Sequence, residues 1–209
     1  MKKNILIIGG NSDIAQSLSA LALKKKFRVF LFVRKKIDLL NLTGDYEIIE
    51  NDISNFKKTR RSILFLKKKY KVLHYLIINS AKTDSINSPF DIKKIKDLFE
   101  LNFFSNIYVT FYILKVFRST INKVIHVSSN SAIYGSDLLP AYSASKAALD
   151  NMINSLNKKY KNKVKFYYIR FGPVFTKKLK KVKSLKWLKK FRNIIISPET
   201  AAKKIINIF

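Results

Sequence analysis

Tyr142 and Lys146 stand four residues apart in "AYSASKAAL". On a helix that spacing puts them on one face, one turn apart. A phenol ordinarily titrates near pH 10, too high for a group that moves protons at neutral pH. An ammonium held one turn away favours the phenolate and lowers that value. A drop of about three units corresponds to roughly 4 kcal/mol of differential stabilisation. A phenol tuned in this way exchanges a proton with an alcohol or a carbonyl. By itself, Tyr-x-x-x-Lys also describes a surface pair on any helix, so the elements around it must decide.

Those elements alternate. "NILII" (4–8) is a short apolar run of strand length, and residues 14–26 follow it with apolar positions at Ile14, Leu18, Leu21 and Ala22 at helical spacing. Further strands are predicted at 28–33, 46–50, 73–78, 123–129 and 163–171, with helices at 56–70, 91–117 and 141–160. Ser197 caps a last helix that has Pro198 at its first position. Strand-helix alternation predicts an α/β fold, a doubly wound parallel sheet with right-handed crossovers. Ligands of such sheets bind beyond the carboxyl ends of the strands. Gly9, Arg34, Asp52, Asn79, Ser129 and Gly172 all follow strand ends. No internal repeat and no linker interrupts the pattern, which predicts a single domain over 1–209.

The motifs at these strand ends resemble, in order, those of the short-chain dehydrogenase/reductase family, in its compact single-domain branch. The family's glycine loop falls on Ile8-Gly9-Gly10-Asn11-Ser12-Asp13-Ile14-Ala15, and its Asp-Val-Ser/Thr on Asp52-Ile53-Ser54. Its Asn-Asn-Ala-Gly falls on Asn79-Ser80-Ala81-Lys82 and its helix asparagine on Asn102. Ser129, Tyr142 and Lys146 take the remaining catalytic places, and Phe171-Gly172-Pro173-Val174-Phe175-Thr176 the Pro-Gly-x-Val-x-Thr segment. The resemblance implies a three-layer Rossmann-type sheet that binds NAD(P). It implies hydride transfer between a carbonyl and an alcohol, with Tyr142 as acid in reduction and base in oxidation. Lys146 would lower the tyrosine's pKa and hold the nicotinamide ribose, Ser129 would donate to the substrate oxygen, and Asn102 would hold a water linking Lys146 to solvent. Ser128 is an alternative to Ser129, since strand alternation turns only one of them into the site. Asp52 and Ile53 would lie near the adenine, Asn79 and Ala81 beneath the adenosine ribose, and Gly172, Val174 and Thr176 near the carboxamide.

The second strand bears on the choice between NAD and NADP. An acid at its end would bind the ribose hydroxyls and repel a 2′-phosphate. Here the end reads "FVRKK", with Arg34, Lys35 and Lys36. Arg34 is a planar donor suited to phosphate, so NADP(H) is favoured over NAD(H). At the first turn, Gly9 supplies the tight bend, and Ser12, Ile14 and the helix N-terminus face the phosphates. Asp13 would repel a pyrophosphate, so its carboxylate is expected to cap the helix's own amides.

The chain departs from the family at Ser80, Lys82 and Phe171, and after "KIINIF" the sequence leaves no room for a seventh strand. Residues 177–192, "KKLKKVKSLKWLKKFR", occupy the place of the substrate lid, which is expected at about 177–196. Leu179, Val182, Leu185, Leu188 and Phe191 repeat there at near-helical spacing. The segment reads as a lid helix, and such a basic amphipathic helix also suits an anionic membrane surface.

With no cysteine among 209 residues, disulfides, thiolate metal sites and a thiol nucleophile are excluded. His74 and His126 have no third ligand in view and read as structural. The first apolar run ends at Gly9, too short for a secretory core, and a cytoplasmic location is expected. The net charge is +29, but without 177–192 there remain 33 basic against 13 acidic residues. The excess is spread along the chain, which implies non-specific rather than dedicated nucleic-acid contact. The partners expected are a small carbonyl or alcohol and further copies of the chain. Two other readings stand beside the reductase. One is a nucleotide-sugar epimerase or dehydratase, which would need a Gly-x-x-Gly-x-x-Gly loop where Ser12 stands. The other is a nonenzymatic nucleotide-sensing or polyanion-binding protein on the same fold.

Overall fold

In a computed structural model, residues 2–35, 42–83, 91–161, 163–182, 189 and 192–209 are described. Lys36 and the lid residues Leu185, Leu188 and Phe191 lie outside them. Strand β1 (Asn4–Ile8) is buried along its whole length because it is paired on both edges and helices cover both of its faces. Ile7 lies beside Leu31 of β2 (Arg28–Val33) on one side and Ile77 of β4 (Tyr75–Ile78) on the other. Strands β3 (Tyr46–Glu50), β5 (Lys123–Ser129) and β6 (Lys165–Phe171) complete a six-stranded sheet, every pair parallel, in the order β3-β2-β1-β4-β5-β6. The reversal of order between β1 and β4 opens a crevice at their carboxyl ends.

Side-chain alternation sorts the sheet's apolar residues onto two faces. Leu6, Ile8, Phe30, Phe32 and Leu76 meet helices α2 (Phe56–Tyr70), α4 (Asn106–Phe117) and α6 (Pro140–Lys159). Ile5, Ile7, Val29, Leu31 and Ile125 meet α1 (Asp13–Lys24) and the last helix, α8 (Pro198–Ile206). The result is a three-layer Rossmann-type fold. No helix among the described residues is long and apolar enough to cross a membrane.

Four departures from the sequence pattern matter. The long helix expected at 91–117 is α3 (Ile92–Phe99), a π-helical segment (Glu100–Ser105) and α4, so Asn102 sits in widened helix. A four-residue helix, α5 (Ser131–Tyr134), follows β5. Strand β4 begins at Tyr75, two residues later than expected, because the backbone N–H of Asn4 is turned onto the His74 ring. The start of the lid is α7 (Lys177–Val182), and Val174 forms an isolated bridge with Ile196. Ser197 caps α8 as expected, accepting from the Thr200 N–H at 3.1 Å.

Gly9 joins β1 to α1 with φ +80°, and a Cβ placed there would lie 2.8 Å from the Ser80 backbone nitrogen. Gly9→Ala therefore combines a left-handed backbone with a clash against main chain. The variant is expected to lose more than about 1 kcal/mol in urea unfolding.

Candidate active site

The turn after β1 is held from below. The N–H groups of Gly9 and Gly10 both donate to the Phe32 carbonyl, at 3.1 and 3.0 Å. Ser12, not Asp13, caps α1: its Oγ accepts from the Ala15 N–H at 3.1 Å. The same Oγ accepts from Asn79 Nδ2 at 2.5 Å, tying the β1 turn to the end of β4. Asn11 Nδ2 donates to the Lys35 carbonyl at 3.0 Å, which ties the turn to the end of β2, while its Oδ1 is buried without a partner among the described residues. The expectation that Asp13 would turn onto its own helix is corrected. Ser12 already fills the cap, and the Asp13 carboxylate instead accepts from the Lys177 N–H at 2.6 Å, joining α1 to the first residue of α7.

Two clefts meet over this turn. One, of about 430 Å³, is lined by Gly9, Arg34, Asp52, Ile53 and Lys82. The other, of about 550 Å³, is lined by Asp13, Ile14, Ser129, Tyr142, Lys146, Gly172, Val174 and Thr176. Asn11, Ser12, Asn79 and Ala81 line both, so the two form one trough across the switch point. Arg34 is exposed at its rim and has no carboxylate in ion-pair range among the described residues. One Asp52 oxygen accepts from both the N–H and the hydroxyl of Ser54, at 3.1 and 2.8 Å, so it braces its own loop.

At the far end of the trough, Lys146 is buried on α6, and its ammonium donates to the Val127 carbonyl at 2.8 Å. Its nitrogen stands 5.9 Å from the centre of the Tyr142 ring. Ser129 lies on the phenol side of Tyr142, where its hydroxyl favours the phenolate, and is itself braced by the hydroxyl of Ser131 at 2.9 Å. Ser128 also lines the cleft, so alternation does not exclude it; its hydroxyl is buried without a partner among the described residues. Burial raises the Tyr142 pKa, against the lowering that the Tyr-Lys spacing led us to expect; the Ser129 hydroxyl opposes the rise and the charge of Asp150 adds to it. Burial lowers Lys146 to about 8, with Asp150 opposing the fall. The site therefore rests with a neutral phenol beside an ammonium that is mostly charged at pH 7.

Asn102 lies behind the cleft, fully buried, rather than lining it. Its Oδ1 accepts from the Lys82 N–H at 2.7 Å, and its Nδ2 donates to the Lys82 carbonyl and to Ser145 Oγ, at 2.9 and 3.1 Å. The side chain is thus engaged in clamping the loop after β4 to α6. The brace from Ser131 at the start of α5, the Ser145 contact and the trough wall at Thr83 and Leu139 have no signal in the sequence, because each depends on how distant segments pack.

A profile of the family described as short chain dehydrogenase matches residues 3–186. The chain belongs to that family. It is 28% identical over 166 residues to 11-beta-hydroxysteroid dehydrogenase-like 2 of Arabidopsis thaliana, covering 74% of this chain and 53% of the relative. A second Arabidopsis relative, 11-beta-hydroxysteroid dehydrogenase-like 3, is 26% identical and covers 84% and 60%. The chain thus spans roughly half the length of the curated relatives it matches. In fold it is similar to aldohexose dehydrogenase of Thermoplasma acidophilum, with a TM-score of 0.87 at 16% identity, covering 98% and 86% of the two chains. It is also similar to ElxO with NADP bound, with a TM-score of 0.84 at 19% identity, covering 98% and 90%.

His126, on the strand that carries Ser129, is fully buried, with Nε2 3.1 Å from Thr110 Oγ1 and no partner at Nδ1 among the described residues. Burial, helped by the Lys146 charge, lowers its pKa from 6.5 to about 3. The folded protein holds it neutral, while the unfolded chain binds a proton below 6.5. Stability from this group is full above 6.5 and is lost as pH falls towards 3. Unfolding free energy is expected to drop by about 1 kcal/mol per pH unit between pH 6 and 5, and His126→Gln to flatten that slope.

Proposed function

We propose that the chain is an NADP(H)-dependent oxidoreductase that interconverts a carbonyl and an alcohol, on one nucleotide-binding domain. The observation that carries this reading is the convergence of Ser129, Tyr142 and Lys146 on one end of a trough whose other end holds Arg34. The trough fits a dinucleotide by its own chemistry. The main chain passes closely at Gly9, where a Cβ would meet Ser80, and α1 presents its N-terminus between the two lobes. Gly9, Asn11, Ser12 and Ile14 would hold the phosphates, and Asp52, Ile53, Asn79 and Ala81 the adenosine half. Tyr142, Lys146, Gly172, Val174 and Thr176 would flank the nicotinamide half, which supplies or accepts a hydride when bound.

The chain's own groups supply the proton chemistry. Tyr142, neutral at rest, donates its proton to the oxygen of a carbonyl in reduction and takes one back in oxidation. Ser129 donates a hydrogen bond to the same oxygen, where negative charge gathers. The Lys146 charge favours the phenolate left behind. Val127, Leu139, Phe171, Val174 and Leu179 make the reaction end of the trough apolar. That lining, with the hydroxysteroid names of the relatives, supports an apolar carbonyl or alcohol as substrate. Asn102 acts by holding the β4 loop against α6. Arg34, exposed and without a carboxylate partner among the described residues, would take the 2′-phosphate of NADP(H).

Turnover of a panel of apolar ketones, followed by nicotinamide absorbance with NADPH and with NADH, tests the reading. Tyr142→Phe is expected to cut kcat by about 10²- to 10⁴-fold while leaving the Kd for NADPH unchanged. Full activity in that variant would refute the mechanism. Arg34→Glu is expected to weaken NADPH binding by about tenfold or more, the worth of one charge-assisted hydrogen bond, and to spare NADH.

A further inference from the structure

Lys146 presents a physical problem. It is 2% exposed, and its only hydrogen-bond partner among the described residues is the neutral Val127 carbonyl. An ammonium withdrawn from water without a counter-charge is costly and tends to lose its proton. The one carboxylate that bears on it is Asp150, one turn further along α6 and itself 3% exposed. Asp150 is held from the neighbouring strand: Arg170 Nε, on β6, lies 2.7 Å from its Oδ2. Arg170 is in turn braced by the Tyr168 ring, its guanidinium carbon 4.4 Å from the ring centre. The second oxygen, Oδ1, is buried with no hydrogen-bond partner among the described residues.

We infer that Asp150 is a positioning residue for the reaction proposed above: clamped by Arg170, its carboxylate supplies the counter-charge that keeps the buried Lys146 ammonium charged and seated on the Val127 carbonyl. The inference rests on the functional reading of Tyr142 and Lys146. The same negative charge opposes ionisation of the Tyr142 phenol. Asp150 thus biases the pair towards phenol plus ammonium, the form from which a proton is delivered to a carbonyl. The other charged or titratable groups around Lys146 are His126 on β5, which is held neutral, Arg170 on β6, Tyr142 on α6, and Asp13 and Lys177 across the cleft. None of these supplies a second carboxylate on the sheet side of Lys146.

The test is NMR titration of the full chain carrying ¹³Cε-lysine, with the Lys146 resonance assigned by its loss in Lys146→Met. Wild type is expected to titrate near 8. Asp150→Asn is expected to lower that midpoint by about one pH unit, the effect of one neighbouring charge, and Asp150→Glu to restore it. In turnover, the pH above which carbonyl reduction falls should move down in Asp150→Asn by a similar amount. If Asp150→Asn does not fold, Asp150→Asn/Arg170→Gln removes both charges of the pair together, which such pairs tolerate better; the midpoint should still fall, by less, because losing the more exposed Arg170 cation partly offsets losing the carboxylate. An unchanged midpoint in a folded variant overturns the inference. The titration needs no substrate, so loss of the proposed activity and loss of this inference are read separately: absent turnover in wild type refutes the former alone.

Discussion

The structure turns on one buried cation. Lys146 donates to the carbonyl of Val127, and that bond requires helix α6 to lie flat against the end of β5. The α6 face that achieves this contact carries Leu149, Ile153 and Leu156 into the core, so the apolar packing of one helix and the placement of one charge are the same event. Each such side chain contributes about 1.5–3 kcal/mol by burial, and together they offset the cost of drawing an ammonium out of water. Tyr142, one turn earlier, is placed by the same contact.

The opposite wall of the trough is built by cross-links among strand ends. Asn79 reaches Ser12, Asn11 reaches the carbonyl of Lys35, and Asn102 reaches the loop at Lys82. Each ties a loop at a strand end to a neighbouring loop or helix through a short amide side chain; Asn11 and Asn79 donate, and Asn102 both donates and accepts. The π-helical widening around Asn102 fits this role. It places the amide between the β4 loop and Ser145 of α6, at a cost in helical regularity that the hydrogen bonds offset. The side chain clamps the loop after β4 to α6 behind the cleft.

Asp13 illustrates how a local rule yields to a distant partner. A short acidic side chain at a helix start satisfies the backbone amides of its own helix, and its position after Ser12 invites that reading. Ser12 occupies the cap, and the carboxylate is used instead on an amide 164 residues away. The Tyr142 pKa follows a similar logic. Spacing along a helix says that an ammonium is near, but not how much water the phenol has lost, and here burial is the larger effect.

By itself, the sequence determined the α/β class, the parallel sheet, the turn from β1 into α1 and the residues gathered at the strand ends. Those features are carried by periods of two and 3.6 residues and by glycines whose backbone angles no other residue takes easily. The Tyr-x-x-x-Lys pair was legible because a helix converts spacing into a shared face. Only the tertiary structure decided that Asn102 faces the β4 loop instead of the cleft, that Ser131 braces Ser129, that Asp13 serves α7, and that Asp150 stands behind Lys146 with Arg170. These contacts join segments far apart in the chain or depend on burial, and neither loop closure nor loss of water leaves a periodic trace in the sequence.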